Sequence, residues 1–317
     1  MNAKTPLTPD PLRIGTRDSK LAVWQAEYVQ NRLRHKGYAT ELVYIKTEGD
    51  RVQNMPIHQI GGQGVFTKAL DDALLENRID LAVHSCKDLP TRLPAGISIA
   101  AVPVREDTDD VLVSNGDTEF LNDKKSKAVI ATGSNRRRGQ WLSRYPNHTL
   151  VDVRGNVQTR LQKLKDNGWG GIIFAAAGLK RLGLDDLISE RLDWMLPAPA
   201  QGALAVAARE EDSKTAEIAR EVHDLAVAAT VTAERTFLRI LEGGCSAPIG
   251  ANALIDGNKL IFRGQLNSLN GDQSIRIEMQ GDMDEPEQLG EAAAEEAKSR
   301  GAEALVAEVR SRLESGE

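Results

Sequence analysis

Residues 13–19, RIGTRDS, and residues 129–137, VIATGSNRR, follow one plan: an apolar strand, a small threonine-containing turn, and a basic helix start. A second pair of segments echoes in the same way. ENRIDLAVHS at 76–85 and DNGWGGIIFAA at 166–176 each read as a helix end, an asparagine, a buried strand and a small-residue tail. Two echoes in the same order predict two similar lobes. Short apolar runs at 12–16, 41–46, 79–84, 97–102, 128–132, 149–153, 171–176 and 202–208 read as strands. Helical spacing lies between them: Phe66, Ala69, Leu70, Ala73 and Leu74 share one face, and Leu21, Trp24 and Tyr28 form a stripe over 19–35. Strands that alternate with helices define an α/β architecture.

The lobes are expected to interleave along the chain. Lobe one takes residues 10–104 with 202–221 and lobe two takes 105–201, with PAPAQG at 197–202 supplying the prolines and glycine of a crossover. From 222 to 317 the pattern changes to a helix near 225–241, a Gly/Pro loop, strands at 251–255, 259–264 and 274–280, and two Ala/Glu-rich helices. This reads as a smaller α+β domain, with Asp256-Gly257 and Asn270-Gly271 as hairpin turns.

The 317 residues allow two or three domains, and a mean hydropathy of -0.36 with no apolar run of membrane length points to a soluble chain. The opening MNAKTPLTPDP resembles neither a secretory signal nor a transit peptide, so a cytoplasmic location is expected. Two cysteines, Cys86 and Cys245, exclude a disulfide framework and a four-thiolate zinc site. The five histidines show no HExxH spacing, so no metal is expected. With 40 Lys+Arg against 46 Asp+Glu, a formal charge of -6, and 4% aromatic residues, the chain lacks the basic, stacking surface of a nucleic-acid binder.

Its positive charge is nevertheless concentrated. Arg13, Arg17 and Ser19 stand at the first turn; Ser134, Arg136, Arg137 and Arg138 at its echo; Arg154 and Arg160 in VRGNVQTR; and Arg181 in AGLKRLG. Helix-start N–H groups, hydroxyls and guanidinium forks suit carboxylates or phosphates, and the lack of a Walker lysine motif favours a carboxylated ligand over one of the ATP type. In VHSCKDLPT at 83–91, Lys87 and Asp88 can face one side together only if the chain has already left the sheet, which Pro90 permits. A carboxylate beside a lysine could steady a developing cation or move a proton, and the same residues also fit a surface ion pair with His84. LEGGCSAPIG at 241–250 puts Cys245 on a glycine-rich loop, either as a nucleophile or tether or as an inert buried thiol; Cys86 reads as inert. GGQG at 61–64 reads as a mobile loop before a helix.

Taken as an ordered set over residues 12–251, RIGTRDSKLAVWQA, GGQGVFTKALDDALLENRIDLAVHSCKDLPT, ATGSNRRRGQ, VRGNVQTRL, AAAGLKRLGL, PAPAQGALA and LEGGCSAPIGA resemble the porphobilinogen deaminase family. The resemblance implies two lobes like type II periplasmic binding proteins, with the active site between them, and a third domain that presents the cofactor cysteine. It implies a dipyrromethane held by a thioether, here on Cys245. Onto this primer four porphobilinogen molecules are joined head to tail, with release of four ammonia molecules and then of 1-hydroxymethylbilane. Asp88 matches the catalytic aspartate, which stabilises positive pyrrole and azafulvene species, and Lys87 a substrate and cofactor contact. Arg17, Ser19, Ser85, Thr132, Ser134, Arg136, Arg137, Arg154, Gly155, Arg160, Arg181 and Gln201 match positions that hold the acetate and propionate groups, while Gln63 and Phe66 match a covering loop. A monomer is implied, with no nucleic-acid or membrane partner. Two departures stand out: Gln63 where the family commonly has lysine, and Ala131 and Gly133 where many members have glycine and serine. A non-catalytic two-lobed binding protein for a carboxylated small molecule is the alternative reading.

Overall fold

The computed structural model describes residues 10–46, 67–241 and 247–315. Gln63, Phe66 and Cys245 lie outside them. Two compact units divide the chain, Met1–Glu106 with Gly202–Ala228 and Asp107–Gln201 with Ala229–Glu317.

In the first unit, strands β1 (Leu12–Thr16), β2 (Thr40–Tyr44), β3 (Leu81–Ser85) and β4 (Ile97–Ala101) join β10 (Leu204–Arg209) in the order β2-β1-β3-β10-β4. β2, β1 and β3 are parallel, and β10 runs antiparallel to both of its neighbours. Helices cover both faces. On one side α1 (Lys20–His35) buries Ala26, Val29 and Leu33 against Leu12, Ile14, Leu81 and Val83; on the other α2 (Lys68–Leu75) buries Leu70, Ala73 and Leu74 against Ile79, Ala82 and Ile97. Covered on both faces, β3 reads as an unbroken apolar run rather than an alternation.

The buried stripe of α1 differs from the expected one. Gln25, Ala26, Val29, Gln30 and Leu33 are buried, whereas Leu21, Trp24 and Tyr28 are only partly so. Two glutamines sit on the inner face because each has a bond there: Gln25 Nε2 donates to Ser85 Oγ at 2.8 Å, and Gln30 Nε2 to the Thr40 carbonyl at 3.4 Å. Trp24 and Tyr28 instead stack on each other at 5.6 Å.

The second unit repeats the first. β5 (Asp110–Val113), β6 (Val129–Ala131), β7 (Thr149–Val151), β8 (Gly171–Ala175) and β9 (Glu190–Arg191) take the order β7-β6-β8-β5-β9. Again three parallel strands are followed by one antiparallel strand, β5, and a fifth that pairs antiparallel with it. In each sheet the antiparallel strand, β10 or β5, is the one that follows the chain's passage between units, so the two sheets share one topology. Helices α3 (Asn135–Arg144), α4 (Val157–Asn167) and α5 (Ala176–Arg181) follow β6, β7 and β8.

Two further helices of the first unit's return and exit are α6 (Ser213–Arg220) and α7 (Leu225–Ile240). The C-terminal part of the second unit is an antiparallel sheet of β11 (Ile249–Asp256), β12 (Lys259–Asn267) and β13 (Ser274–Asp282), packed with α7, α8 (Pro286–Ser299) and α9 (Ala302–Ser315). Phe237 and Phe262, both fully buried, meet at 5.1 Å in its core. The β11–β12 hairpin is tight, but its loop lies one residue later than expected: Asp256 pairs with Lys259 as the last residue of β11, and Gly257, at φ +61°, and Asn258 make the turn. Asn270-Gly271 belongs to a longer loop, 268–273, because β12 and β13 separate after the Asn267–Ser274 pair.

Candidate active site

Parallel neighbours end on the same edge of a sheet, and this brings the separate sequence motifs together. β1 and β3 pair through Ile14–Leu81 and Gly15–Ala82, so Arg17 and Ser19, which follow β1, share an edge with Ser85, Lys87 and Asp88, which follow β3. The strand stops at Ser85 and turns into a short 3-10 helix, Cys86–Asp88, anchored where Cys86 N donates to the Ala203 carbonyl at 3.0 Å. Leaving the sheet there frees Lys87 and Asp88 from strand alternation. Asp88 is exposed, Lys87 half-buried and Cys86 buried. Ser19 caps α1, its Oγ accepting from Ala22 N at 3.4 Å, and Arg17 is half-buried beside the cap.

His84 is not the surface partner of an ion pair. It is buried, and loss of hydration, reinforced by the Arg17 charge, lowers its pKa to about 4, so the ring is neutral at physiological pH.

In the second unit the same edge collects the residues after β6, β7 and β8. Thr132 is buried and its Oγ1 accepts from Ser134 N at 3.2 Å; Ser134 Oγ caps α3 by accepting from Arg137 N at 3.4 Å. After β7, Gly155 sits at φ +111°, where a Cβ would also press on Thr159 at 2.6 Å. Its carbonyl accepts from Arg160 Nε at 2.8 Å. Arg154 is half-buried, and its pKa is lowered by that burial against the opposing pull of Asp152. Arg181, at the end of α5, is buried. Gly133 has a steric reason to replace a serine, since a Cβ there would stand 2.8 Å from the Val153 carbonyl oxygen.

Family models match this chain twice: the porphobilinogen deaminase dipyromethane cofactor binding domain over residues 12–217, and the porphobilinogen deaminase C-terminal domain over 228–299. The chain belongs to the porphobilinogen deaminase family. Porphobilinogen deaminases of Syntrophotalea carbinolica and Geobacter sulfurreducens are each 42% identical to it, over 95% and 96% of this chain and 96% and 97% of theirs. That of Oceanobacillus iheyensis is 39% identical, over 95% of this chain and 98% of its own. The activity is therefore that of a porphobilinogen deaminase, a hydroxymethylbilane synthase: a transferase of tetrapyrrole biosynthesis with a dipyrromethane cofactor. A purely binding role is not favoured.

Arg136, Arg137 and Gln201 of the expected carboxylate-binding set meet on one buried carboxylate within the protein. Arg136 and Arg137, although in the first turn of α3, point into the unit and share Asp110, which is fully buried at the head of β5. Arg136 Nη1 reaches Asp110 Oδ2 at 2.5 Å and the Leu196 carbonyl at 2.7 Å. Arg137 gives Nε and Nη2 to Asp110 Oδ1 at 2.9 and 2.7 Å, and Nη1 to the Ile173 carbonyl at 2.9 Å. Gln201 Nε2 adds a third donor to Oδ1 at 3.1 Å and donates to the Thr108 carbonyl at 2.8 Å. Burial alone would raise the Asp110 carboxyl, but the two guanidiniums outweigh it and hold the carboxyl far below the usual range. Burial likewise lowers Arg137, against the upward pull of Asp110.

Arg13 is also structural. It lies at the opposite end of β1, where its guanidinium holds Asp80 at 2.7 Å and the Asn77 carbonyl at 2.6 Å. Arg138 reaches Asp152 at 3.2 Å.

A polycarboxylate such as the family's dipyrromethane fits the donor set. Two buried guanidiniums share one carboxylate, an excess of one positive charge, and Arg136 Nε is buried without a hydrogen-bond partner among the described residues. Among the described residues no cluster of three or more His, Cys, Asp or Glu side chains could hold a metal. Asp110 and Gln25 escaped the sequence reading. The available signal for Asp110 was an acid opening an apolar run, DVLV, in a chain with paired arginines to answer it.

Proposed function

We propose that Asp88 carries the chemical step, with Lys87 beside it, and that Cys245 anchors the dipyrromethane. Arg17, Ser19, Ser85, Thr132, Ser134, Arg136, Arg137, Arg154, Gly155, Arg160, Arg181 and Gln201 form the surroundings of the ligand carboxylates. The observation that carries this reading is the shared edge: residues from motifs over sixty positions apart, Arg17 and Asp88, follow adjacent parallel strands.

When bound, the dipyrromethane supplies the pyrrole terminus from which the product grows. Asp88, exposed on its 3-10 turn, offers a carboxylate to the positive charge that develops as ammonia leaves the porphobilinogen aminomethyl carbon. Half-buried Arg17, Arg154 and Arg160 offer charge-assisted donors to acetate and propionate, each such bond adding about 1.5 to 3 kcal/mol. Arg136 and Arg137 contribute through their excess charge and the buried Nε of Arg136, which has no hydrogen-bond partner among the described residues, and Gln201 acts by holding Asp110. Gln63 and Phe66 are assigned to covering the bound chain on the family resemblance, which also supports a cytoplasmic monomer without nucleic-acid or membrane partners. Among the described residues no helix is long and apolar enough to cross a membrane.

Intact mass tests the anchor. The purified protein should carry a two-pyrrole increment and give a positive pyrrole colour reaction, and Cys245→Ala should lose both. A fully loaded Cys245→Ala protein would move the attachment elsewhere. An unmodified wild-type mass that persists after incubation with porphobilinogen would count against the cofactor reading as a whole.

A further inference from the structure

Glu234 is fully buried on α7, and its two carboxylate oxygens serve two separate segments. Oε2 accepts from Ala200 N at 2.6 Å in the crossover, and Oε1 accepts from Ala253 N at 2.8 Å in β11. Further contacts tie the same two segments together. Ala251 N donates to the Pro197 carbonyl at 3.0 Å, and Gly250 approaches the Leu196 carbonyl so closely that a Cβ would stand 2.8 Å from it. Ala200 is held at φ +61°, a left-handed conformation that an L side chain opposes, so the crossover takes this shape only because its surroundings impose it.

The next residue carries the connection onward. Gln201 is fully buried and donates to Asp110, whose carboxylate in turn receives Arg136 and Arg137. The C-terminal sheet, one glutamate, the crossover, one aspartate and the two guanidiniums are thus linked within a single unit by hydrogen bonds and by the Ala200–Gln201 peptide bond.

We propose that Glu234 is a positioning residue: by fixing Ala200 to β11 it sets Gln201 and Asp110, and thereby the orientation in which Arg136 and Arg137 meet ligand carboxylates. The proposal rests on the assignment of those arginines to the ligand. It makes carboxylate binding responsive to the placement of the C-terminal sheet. An amide at 234 keeps one acceptor oxygen and turns an NH2 group toward the second backbone N–H, so Glu234→Gln breaks the link with little change in volume.

The experiment compares wild type, Glu234→Gln, Arg136→Lys and the double variant by steady-state kinetics with porphobilinogen, intact mass and amide hydrogen exchange. Carboxylate contacts that act equally before and during reaction appear in KM, so Glu234→Gln should raise KM about tenfold while kcat stays within about threefold. In the Arg136→Lys background the same change should raise KM by only about twofold, because the contact it positions is already lost. Exchange should accelerate over 196–201 and 108–113 in the as-purified protein.

A lower Tm with unchanged KM, or an equal KM effect in both backgrounds, overturns the proposal and leaves Glu234 a purely structural residue. Failure of the arginine assignment looks different: Arg136→Lys alone then leaves KM unchanged, while accelerated exchange over 108–113 in Glu234→Gln still reports the link. If Glu234→Gln does not fold, Gln201→Met cuts the chain one residue further on and is read by the same outcomes.

Discussion

Arg137 places two guanidinium nitrogens on a single oxygen of Asp110, Nε at 2.9 Å and Nη2 at 2.7 Å, inside a unit where neither side chain meets appreciable solvent. Arg136 occupies the other oxygen. The carboxylate therefore counters two buried cations at once, and the helix start carrying Ser134 is pinned to β5 by charge.

Removing that carboxylate leaves both guanidiniums buried without their counter-ion. Asp110→Asn is expected to lower unfolding free energy by about 3 to 5 kcal/mol, read as a fall in the urea midpoint. Because the folded-state pKa is depressed, the stabilisation is present above the unfolded carboxyl value of about 3.9 and is lost as pH falls through the folded value. Acid unfolding of the variant should lack that contribution. A variant as stable as wild type would show that the cluster is neutralised in another way.

Asp88 should behave in the opposite manner. It is exposed on a 3-10 turn, so Asp88→Asn should change stability by no more than about 0.5 kcal/mol. Loss of its charge at the reacting centre should cut kcat by at least about a hundredfold, a scale set by removal of one electrostatic stabiliser. Ammonia release at near-normal rates from a folded Asp88→Asn protein would remove the residue from the mechanism.

The contrast between these two aspartates explains what the sequence could and could not reveal. Asp88 sits in a motif whose neighbours, Lys87 and Pro90, advertise the strand exit locally. Asp110 acquires its role from arginines 26 and 27 positions away and from a strand only four residues long, too short for periodicity to show. The strands β1, β3, β6 and β8 were legible because they are continuous apolar runs between turn signals. The buried face of α1 was not, because Gln25 and Gln30 look solvent-facing until Ser85 and the Thr40 carbonyl are seen opposite them. The edge shared by Arg17 and Asp88 depends on strand order, which no local pattern carries.

Gly139 marks the close approach of α3 to the loop after β12. An added Cβ would stand 2.6 Å from the Ser268 carbonyl oxygen and 2.8 Å from Asn267 Cβ. Alanine in a helix interior gains about 1 kcal/mol over glycine, but overpacking against backbone costs about 1 to 3 kcal/mol. Gly139→Ala should therefore be destabilising by up to about 2 kcal/mol in urea unfolding, and a stabilised variant would mean that the loop yields freely.

His84 gives the last prediction, and its sign follows from proton binding. In the unfolded chain the imidazole titrates near its ordinary 6.5; in the fold, burial first and the Arg17 charge second lower it to about 4. Between those values the unfolded state binds more protons, so stability falls as the solution is acidified from pH 6.5 to about 4, and the contribution is fully present only above 6.5. A shift of this size corresponds to about 3 kcal/mol across the window. The buried Nε2 has no hydrogen-bond partner among the described residues, so a neutral amide can replace the ring without breaking a bond at that atom. His84→Gln should accordingly flatten the stability profile between pH 6.5 and 4 while leaving the steeper loss at lower pH, where Asp110 is protonated, in place. Unfolding free energies at half-unit pH steps measure both limbs, and an unchanged slope between pH 6.5 and 4 in the variant would assign the titration to another group.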